Sequence, residues 1–396
     1  MKTNTIFLLL NLTIFCVINI DAQEHKNIYI FGHSLIVHDP PAIATSSNET
    51  TVPHWLHFLA EAQSNSVAVS GQYGFLQQHD DLPPFSQWGF DVVAPAWESD
   101  TETFSEANFD TVLITAANFI QDQASNVAYY NDPNTTPVSA TVSIVDWVNI
   151  QNPEMVTYIY ENWPDMAGFI AGESFPPSTS EFENYNSYTI GDFHDWWLDY
   201  QDFLVAERPN ETIKMIPIGP IISKLLDEAP FNQIPITDLY EDNAPHGRPT
   251  IYFLAALITY SAIYQNPVPS NFVPPSIINT TVASNYGYIT NFIWNELLAF
   301  NFNSGESRVF VNNPLNIDDI ASADFKLYPN PAKDYIQIDT VIDNYSIECF
   351  NVLGKQIDVN RSALNESIDT SNLESGVWFF KITYGSKFII KKVIKL

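Results

Sequence analysis

Short apolar stretches alternate with helical patterns along residues 27–300, and this alternation limits the possible folds more than any other feature of the sequence. The stretches NIYIF at 27–31, SVAVS at 66–70, FDTVLIT at 109–115 and KMIPI at 214–218 have the length and composition of strands. Residues 54–62, 253–264 and 288–300 instead show helical spacing of apolar side chains. Strands alternating with helices predict an α/β domain over residues 23–300, in which a mainly parallel sheet lies between two layers of helices.

The first 22 residues have the pattern of a secretory signal peptide. Lys2 supplies the positive charge, residues 6–20 are apolar, and Asp21 and Ala22 precede the expected cleavage at Gln23. A later apolar run, residues 251–264, is too short to cross a bilayer and predicts a buried helix. The mature chain would retain Cys349 alone, which cannot form an internal disulfide. We therefore expect an exported protein without a membrane span.

The charge of the chain is strongly acidic and unevenly distributed. The net charge is -30, yet residues 321–396 hold nine basic and nine acidic residues, so the whole acidic excess lies in residues 1–320. A nucleic-acid-binding surface needs basic groups to replace the counterions around phosphates. Nucleic acids and anionic membranes are therefore disfavoured as partners.

Residues 301–322 are rich in Asn, Ser and Asp and predict a linker, after which residues 323–396 show the short alternating segments of a small β-sandwich. This last part contains FKLYPNPAKD at 325–334, VLG at 352–354, SGVWFFK at 375–381 and KKVIK at 391–395. With these motifs in this order, it resembles the C-terminal sorting domain of the bacterial type IX secretion system. The resemblance implies a partner, the type IX machinery, and export across both membranes of a Gram-negative cell to the surface or the medium.

The first strand runs into Gly32, His33, Ser34 and Leu35. A serine on a turn after the first strand lies at the carboxyl edge of a parallel sheet, where α/β proteins keep their sites. Because position 36 is Ile, this is not the Gly-x-Ser-x-Gly elbow. The tetrapeptide resembles the first block of the SGNH hydrolases, usually Gly-Asp-Ser-Leu, with His33 in place of Asp. The resemblance implies a flavodoxin-like three-layer fold and Ser34 as nucleophile.

The segment LYEDNAPH at 239–246 resembles the last block of the same family, in which an Asp shortly precedes a His. A serine hydroxyl needs an imidazole to take its proton, and a carboxylate to orient that imidazole. His246 is the implied base. The family spacing would place the Asp at position 243, which is Asn, so we favour Asp242 as the acid, with Glu241 and Asp238 as alternatives.

Hydrolysis of an ester also needs hydrogen-bond donors for the oxyanion of the tetrahedral intermediate. The family resemblance implies three: the backbone N–H of Ser34, the backbone N–H of Gly74, preferred over Gly71, and the side chain of Asn118. Asn118 follows Ala116, which replaces the glycine usual in that block.

Other constellations in the sequence are weaker. His54 and His57 have metal-pair spacing, but Trp55 and Leu56 favour an ordinary packing helix, and we expect no metal or organic cofactor. The second Gly-x-Ser, at 172–174, lacks a final glycine and predicts a loop serine. The long segment before residue 239 is rich in aromatic residues, which stack on sugars and also fill cores. Within it, Glu161 and Trp163 are the predicted substrate contacts.

These observations predict a secreted serine esterase that acts on O-acyl groups, with acetyl groups of an extracellular poly- or oligosaccharide as the expected substrate. One alternative is a non-catalytic carbohydrate-binding or surface protein that keeps the fold with a degraded site, which His33 and Ala116 would favour. A lipase-like enzyme acting on long acyl chains is the other alternative.

Overall fold

The computed structural model describes residues 23–116, 122–311, 326–340, 345–351, 355–362, 367–384 and 387–396. The predicted signal peptide, residues 1–22, lies outside this part of the chain. By its contacts the chain divides into two compact units, residues 1–314 and 315–396. The boundary falls inside the segment 301–322 that the sequence predicts as a linker.

A five-stranded parallel sheet forms the centre of the first unit. Its order is β2-β1-β3-β4-β5, and every neighbouring pair is parallel. This is the flavodoxin-like order, so the predicted α/β fold is confirmed. The strands are β1 (His25–Gly32), β2 (Ser66–Tyr73), β3 (Thr111–Ile114), β4 (Val156–Glu161) and β5 (Ile213–Pro217).

Helices cover both faces of this sheet. Ile28 and Ile30 of β1 join one core cluster with α1, α6 and α8, whereas Tyr29 and Phe31 join a second cluster with α3 and α5. Successive strand residues point to opposite faces, so this alternation produces three layers. The helices are α1 (Val52–Ala62), α2 (Leu76–His79), α3 (Pro137–Gln151), α4 (Thr179–Ile190), α5 (Asp192–Glu207), α6 (Ile218–Asp227), α7 (Ile236–Leu239), α8 (Pro249–Tyr264), α9 (Thr280–Ser284) and α10 (Tyr286–Ala299).

Helix α8 is buried along its whole length, in agreement with the buried helix predicted from residues 251–264. Across the described part of the chain, no helix combines the length and the apolar character needed to cross a bilayer.

The carboxyl end of β1 lies at the point where the strand order reverses. The chain leaves β1 to form β2 on one side and later returns to form β3 on the other. A reversal of strand order of this kind is where doubly wound proteins bind ligands.

The predicted linker, residues 301–322, starts before the α/β unit ends in the structure. Arg308 is buried, its guanidinium lies 2.9 Å from the carboxylate of Asp202, and its carbonyl accepts a 2.9 Å hydrogen bond from Met215 N–H in β5. Val309 and Phe310 belong to the core of the first unit. Residues up to at least 310 therefore form part of the α/β unit, because they cover its edge strand.

The second unit consists of two four-stranded antiparallel sheets, ordered β10-β11-β7-β6 and β13-β12-β8-β9. Ile336 and Ile368 from the first sheet and Phe380 and Val393 from the second share one core cluster, together with the buried, unbridged Cys349. This agrees with the predicted all-β domain. Its strands are β6 (Lys326–Tyr328), β7 (Tyr335–Asp339), β8 (Tyr345–Asn351), β9 (Gln356–Ile357), β10 (Arg361–Ser362), β11 (Ser367–Asp369), β12 (Gly376–Tyr384) and β13 (Lys387–Lys395).

Candidate active site

Ser34 lies in a tight turn directly after β1. The N–H groups of Ile36 and Val37 both donate to the carbonyl of His33, at 3.1 and 3.2 Å. Gly32 is required here, since a Cβ at this position would lie 2.7 Å from Cγ2 of Ile36. The partly exposed Ser34 therefore sits at the carboxyl edge of the sheet, at the point where the strand order reverses.

Two hydrogen bonds connect Ser34, His246 and Asp242. Nε2 of His246 lies 2.9 Å from Oγ of Ser34, and Nδ1 of His246 lies 2.6 Å from Oδ2 of Asp242. Because an ionised carboxylate only accepts hydrogen bonds, the network assigns the proton to Nδ1 and leaves Nε2 to accept from the serine hydroxyl. This arrangement can activate a hydroxyl as a nucleophile.

Asp242 has the charge state that this arrangement needs. Burial raises the pKa of its carboxyl, but hydrogen bonds from the side chain and N–H of His246 and from the N–H of Ala244 lower that pKa by more. The two backbone hydrogen bonds measure 3.0 Å each. The net pKa of Asp242 lies below its ordinary value, so the carboxylate is ionised near neutral pH.

Glu241, one alternative acid, forms a second histidine–carboxylate pair with His38. Nε2 of His38 lies 2.5 Å from Oε1 of Glu241, and the rings of His38 and His246 stack with centroids 4.2 Å apart and planes inclined by 9°. Burial lowers the pKa of His38, and the hydrogen bond to Glu241 raises it by less, so this imidazole is neutral near pH 7. Asp238, the other alternative, lies 3.4 Å from the amide of Asn279.

The loop 240–248, which carries the candidate acid and base, is held by the segment after β4. Nε1–H of Trp163 donates to the carbonyl of Pro245 at 2.9 Å, and Met166 N–H donates to the carbonyl of Asn243 at 3.0 Å. Trp163 is only 1 % exposed. Its predicted role in substrate contact is therefore wrong, because a core ring that supports this loop cannot reach a ligand.

The predicted substrate contact by Glu161 is wrong for the same reason. Glu161 is completely buried at the end of β4, with Oε1 2.7 Å from Nδ1 of His194 on α5. Its Oε2 atom has no hydrogen-bond partner among the described residues. Burial raises the pKa of Glu161 to about 7, although His194 acts in the opposite direction.

His33, which replaces the expected Asp, is a buried and neutral side chain. Its Nδ1 accepts a hydrogen bond of 3.3 Å from Leu35 N–H, and its ring stacks on Phe75 with centroids 5.7 Å apart. Burial, with a smaller contribution from His79, lowers the pKa of His33 to about 3. The histidine therefore supports the turn at Ser34 as a hydrogen-bond acceptor.

The three predicted oxyanion donors have different outcomes. The N–H of Ser34 donates to no other described residue. The prediction for Gly74 is wrong, because its N–H donates to the carbonyl of Gly32 at 2.9 Å and joins the ends of β1 and β2. Asn118 lies outside the described residues, two positions after the buried Ala116 that follows β3.

An open pocket of about 330 Å³ lies among aromatic residues of the α/β unit, and we call it the aromatic pocket. Two of its lining residues link it to the candidate site: Phe75, whose ring stacks on His33 next to Ser34, and Ala116, which follows the neighbouring strand β3. The sequence did not indicate this pocket, because its residues come from several separate segments of the chain. Its rings and polar side chains are Phe75, Tyr129, Tyr130 and Trp196 with Gln77, Asp122, Gln123 and Asn131.

In the described ranges, His38, Glu241 and His246 form the one three-residue group with metal-ligand chemistry, their donor atoms lying within 4.8 Å of one another. Both ring nitrogens of His246 already make hydrogen bonds, so a metal ion would have to replace those contacts. His54 is buried on α1, and His57 on the same helix lies 3.6 Å from Glu61.

Two solved structures are similar to part of the chain. A protein from Parabacteroides merdae described as a GDSL-like lipase is 10% identical, with 60% of this chain and 95% of that one covered at a TM-score of 0.34. A carbohydrate esterase family 2 enzyme with a carbohydrate-binding domain, from Corynascus thermopiles (Myceliophthora fergusii), is 11% identical, with coverages of 61% and 66% and a TM-score of 0.29. Both TM-scores are low, and the fold assignment rests on the sheet order. Among curated proteins, no sequence matches the chain.

The second unit matches a known family. Residues 326–396 match the model of the secretion system C-terminal sorting domain. This match covers almost the whole of the predicted segment 323–396 and confirms the prediction of type IX export to the cell surface or the medium. The C-terminal unit of this chain is therefore a secretion sorting domain.

Proposed function

We propose that the α/β unit is a serine esterase that hydrolyses O-acyl esters outside the cell. The observation that carries this proposal is the pair of hydrogen bonds from Ser34 through His246 to Asp242, at the carboxyl edge of a parallel sheet. A neutral imidazole oriented by a carboxylate is the group that turns a serine hydroxyl into a nucleophile.

The reaction has two halves. Oγ of Ser34 attacks the ester carbonyl carbon while Nε2 of His246 takes the hydroxyl proton. The C–O bond to the alcohol then breaks, and His246 gives the proton to the leaving oxygen. Water repeats the sequence on the acyl-serine: His246 takes a proton from the attacking water, the carboxylic acid leaves, and Oγ recovers the proton. Asp242 stays ionised and stabilises the imidazolium in both halves.

Two donors are proposed for the oxyanion. One is the N–H of Ser34, which makes no hydrogen bond to another described residue. The other, proposed from the sequence, is the side chain of Asn118. Each such donor is typically worth about 3 kcal/mol of transition-state stabilisation.

We further propose that the alcohol is a sugar hydroxyl and that the acyl group is acetyl. The aromatic pocket supports this substrate class, because rings such as Tyr129 and Trp196 can stack on the apolar face of a sugar while amides such as Gln77 bind its hydroxyls. Asp122 is the charged residue among those that line the pocket. Together with the net charge of -30, it favours a neutral sugar.

The proposal is tested by treating the purified chain with a fluorophosphonate probe and locating the adduct by peptide mass spectrometry. We expect labelling at Ser34 that disappears in Ser34→Ala and His246→Ala. Ser174→Ala is the matched control, since Ser174 belongs to the second Gly-x-Ser and should not affect labelling. Turnover of p-nitrophenyl acetate should exceed that of longer acyl esters.

A folded chain without label and without turnover would refute the esterase. Glycan-binding arrays would then test the alternative, a non-catalytic carbohydrate-binding protein. Preference for long acyl chains over acetate would contradict the proposed substrate and favour the lipase-like alternative.

A further inference from the structure

Glu241 is fixed from both sides beside His246. Its carboxylate accepts hydrogen bonds from Nε2–H of His38 at 2.5 Å, from Ala42 N–H at 3.0 Å and from Ile43 N–H at 3.4 Å. Its own N–H donates to the carbonyl of His246 at 2.9 Å. Only 4% of the Glu241 side chain is exposed. A carboxylate this constrained is part of the site and not a solvated surface group.

We propose that His38 and Glu241 are a positioning pair for His246, a role that rests on the esterase function proposed above. The ring of His38 fixes the plane of the His246 ring. The carboxylate of Glu241 supplies a second negative charge that stabilises the imidazolium of His246 during proton transfer.

The positioning part of this role follows from what else holds the His246 ring. Nδ1 is held by Asp242, whereas the hydrogen bond from Ser34 to Nε2 is lost each time the serine attacks a substrate. The hydrogen bond to Asp242 alone would leave the His246 ring free to rotate about that contact. The ring of His38, parallel to it at 4.2 Å, opposes that movement.

The electrostatic part follows from distance and charge. The donor atoms of His38, Glu241 and His246 all lie within 4.8 Å of one another. An opposite charge at about 4–6 Å stabilises an ionised group, and the neutral His38 between them does not repel the imidazolium. Because His38 donates its Nε2–H to a carboxylate, the ring face that meets His246 is electron-rich.

Other titratable groups near His246 do not supply this charge. His33 and His38 are kept neutral mainly by burial, which lowers the pKa of each imidazole. Burial also raises the pKa of Tyr252, whose hydroxyl donates to the carbonyl of Ser34 at 2.6 Å, well above its ordinary value. The titratable groups that face His246 are thus Asp242 and Glu241 on its own loop, His33 and His38 after β1, and Tyr252 on α8.

The test is the pH profile of kcat/KM for p-nitrophenyl acetate in the full chain and in Glu241→Gln, which removes the charge and keeps the shape. We expect the acid limb of the profile to move to lower pH by about one unit and the plateau to fall about tenfold, with KM little changed. Glu61→Gln is the matched control: it removes the same charge from another histidine–glutamate pair, on α1, and should leave the profile unchanged.

Circular dichroism checks whether Glu241→Gln folds. If it does not, two variants of His38 test the positioning role independently. His38→Phe retains a flat ring against His246 and His38→Ala does not, so we expect kcat to fall about tenfold in the alanine variant and less in the phenylalanine variant.

If the wild type is active and folded Glu241→Gln shows the same acid limb in its pH profile, the electrostatic role is overturned. If kcat is equal in the wild type and in His38→Ala, the positioning role is overturned. A wild-type chain with neither label nor turnover would instead refute the esterase, and with it this role.

Discussion

Replacing Glu161 by Gln should remove most of the pH dependence that a buried ion pair gives to the stability of the α/β unit. Burial raises the pKa of Glu161 from 4.5 to about 7. A carboxyl with a raised pKa keeps its proton in the native state at pH values where the unfolded chain has released it. The contribution of Glu161 to the free energy of unfolding is therefore fully present below pH 4.5, and it is lost as the pH rises from 4.5 to about 7.

The size of this effect follows from the two pKa values. At about 1.4 kcal/mol for a tenfold change in proton affinity, the free energy of unfolding should fall by about 3 kcal/mol over that range. Burial lowers the pKa of His194, but Glu161 raises it by more, so His194 adds to the loss as the pH passes its ordinary value of 6.5. In Glu161→Gln the contributions of Glu161 are lost. Burial and Lys224 then lower the pKa of His194 by more than Asp195 raises it, so the contribution of His194 to the pH dependence should reverse sign. The variant should be equally stable at pH 5 and pH 8, or slightly more stable at pH 8.

Urea unfolding at pH 5 and pH 8, followed by tryptophan fluorescence, measures this difference. Eight of the nine Trp residues lie in residues 1–314, so the signal reports mainly on the α/β unit. The wild type should lose about 3 kcal/mol between the two pH values, and comparing the two values cancels any constant cost of burying the Gln amide. Glu183→Gln on the exposed face of α4 is the control. The reasoning is refuted if Glu161→Gln loses as much stability as the wild type.

Three further predictions concern the proposed catalytic site. Asp242→Asn should lower kcat for p-nitrophenyl acetate about 10³- to 10⁴-fold with little change in KM, because an amide cannot stabilise the imidazolium of His246. Unchanged steady-state kinetics would exclude Asp242 as the acid. Trp163→Phe leaves the carbonyl of Pro245 unpaired in the core and should cost about 1–3 kcal/mol of unfolding free energy, measured in urea, and also lower kcat. Trp196→Ala should raise KM for an acetylated neutral oligosaccharide about tenfold and leave p-nitrophenyl acetate turnover unchanged. The control is Tyr288→Ala, which removes an exposed ring on α10 and should affect neither substrate. Equal effects of Trp196→Ala on both substrates would contradict a sugar site in the aromatic pocket.

The candidate site residues that follow a strand end, or that lie close together in the sequence, could be predicted from local sequence patterns. Ser34 follows a strand, and Asp242 and His246 share one loop, so each could be predicted from a few neighbouring residues. The strand β4 was missed because a short apolar run has no period that separates a strand from a buried helix. It lay inside a segment whose aromatic content drew attention to sugar binding instead.

Contacts between distant segments could not be read from the sequence. Trp163 and Pro245 are 82 residues apart, and His38 and Glu241 are 203 residues apart. The identity of a ring also does not reveal its exposure: Trp163 is buried in the core, whereas Trp196 lines an open pocket. For the same reason the N–H of Gly74 could be proposed as an oxyanion donor, since nothing local shows that it already binds another strand end.

Burial and hydrogen bonding together give three similar histidine–carboxylate pairs of the α/β unit different chemistry. Their nitrogen–oxygen distances are 2.5–2.7 Å, and the pairs are His246–Asp242, His38–Glu241 and His194–Glu161. The carboxylate of the first pair is 41% exposed and keeps its charge, so in the proposed mechanism it can stabilise the imidazolium of its histidine. That of the second is 4% exposed and accepts three hydrogen bonds, which fix its position beside the first pair. That of the third is completely buried, and one of its oxygens has no hydrogen-bond partner in the described part of the chain, so its ionisation opposes folding and its distance from solvent excludes it from substrate chemistry. Short spacing in the sequence can point to such residues, but the solvation and hydrogen bonding of each carboxylate underlie the different roles that we propose for the three pairs.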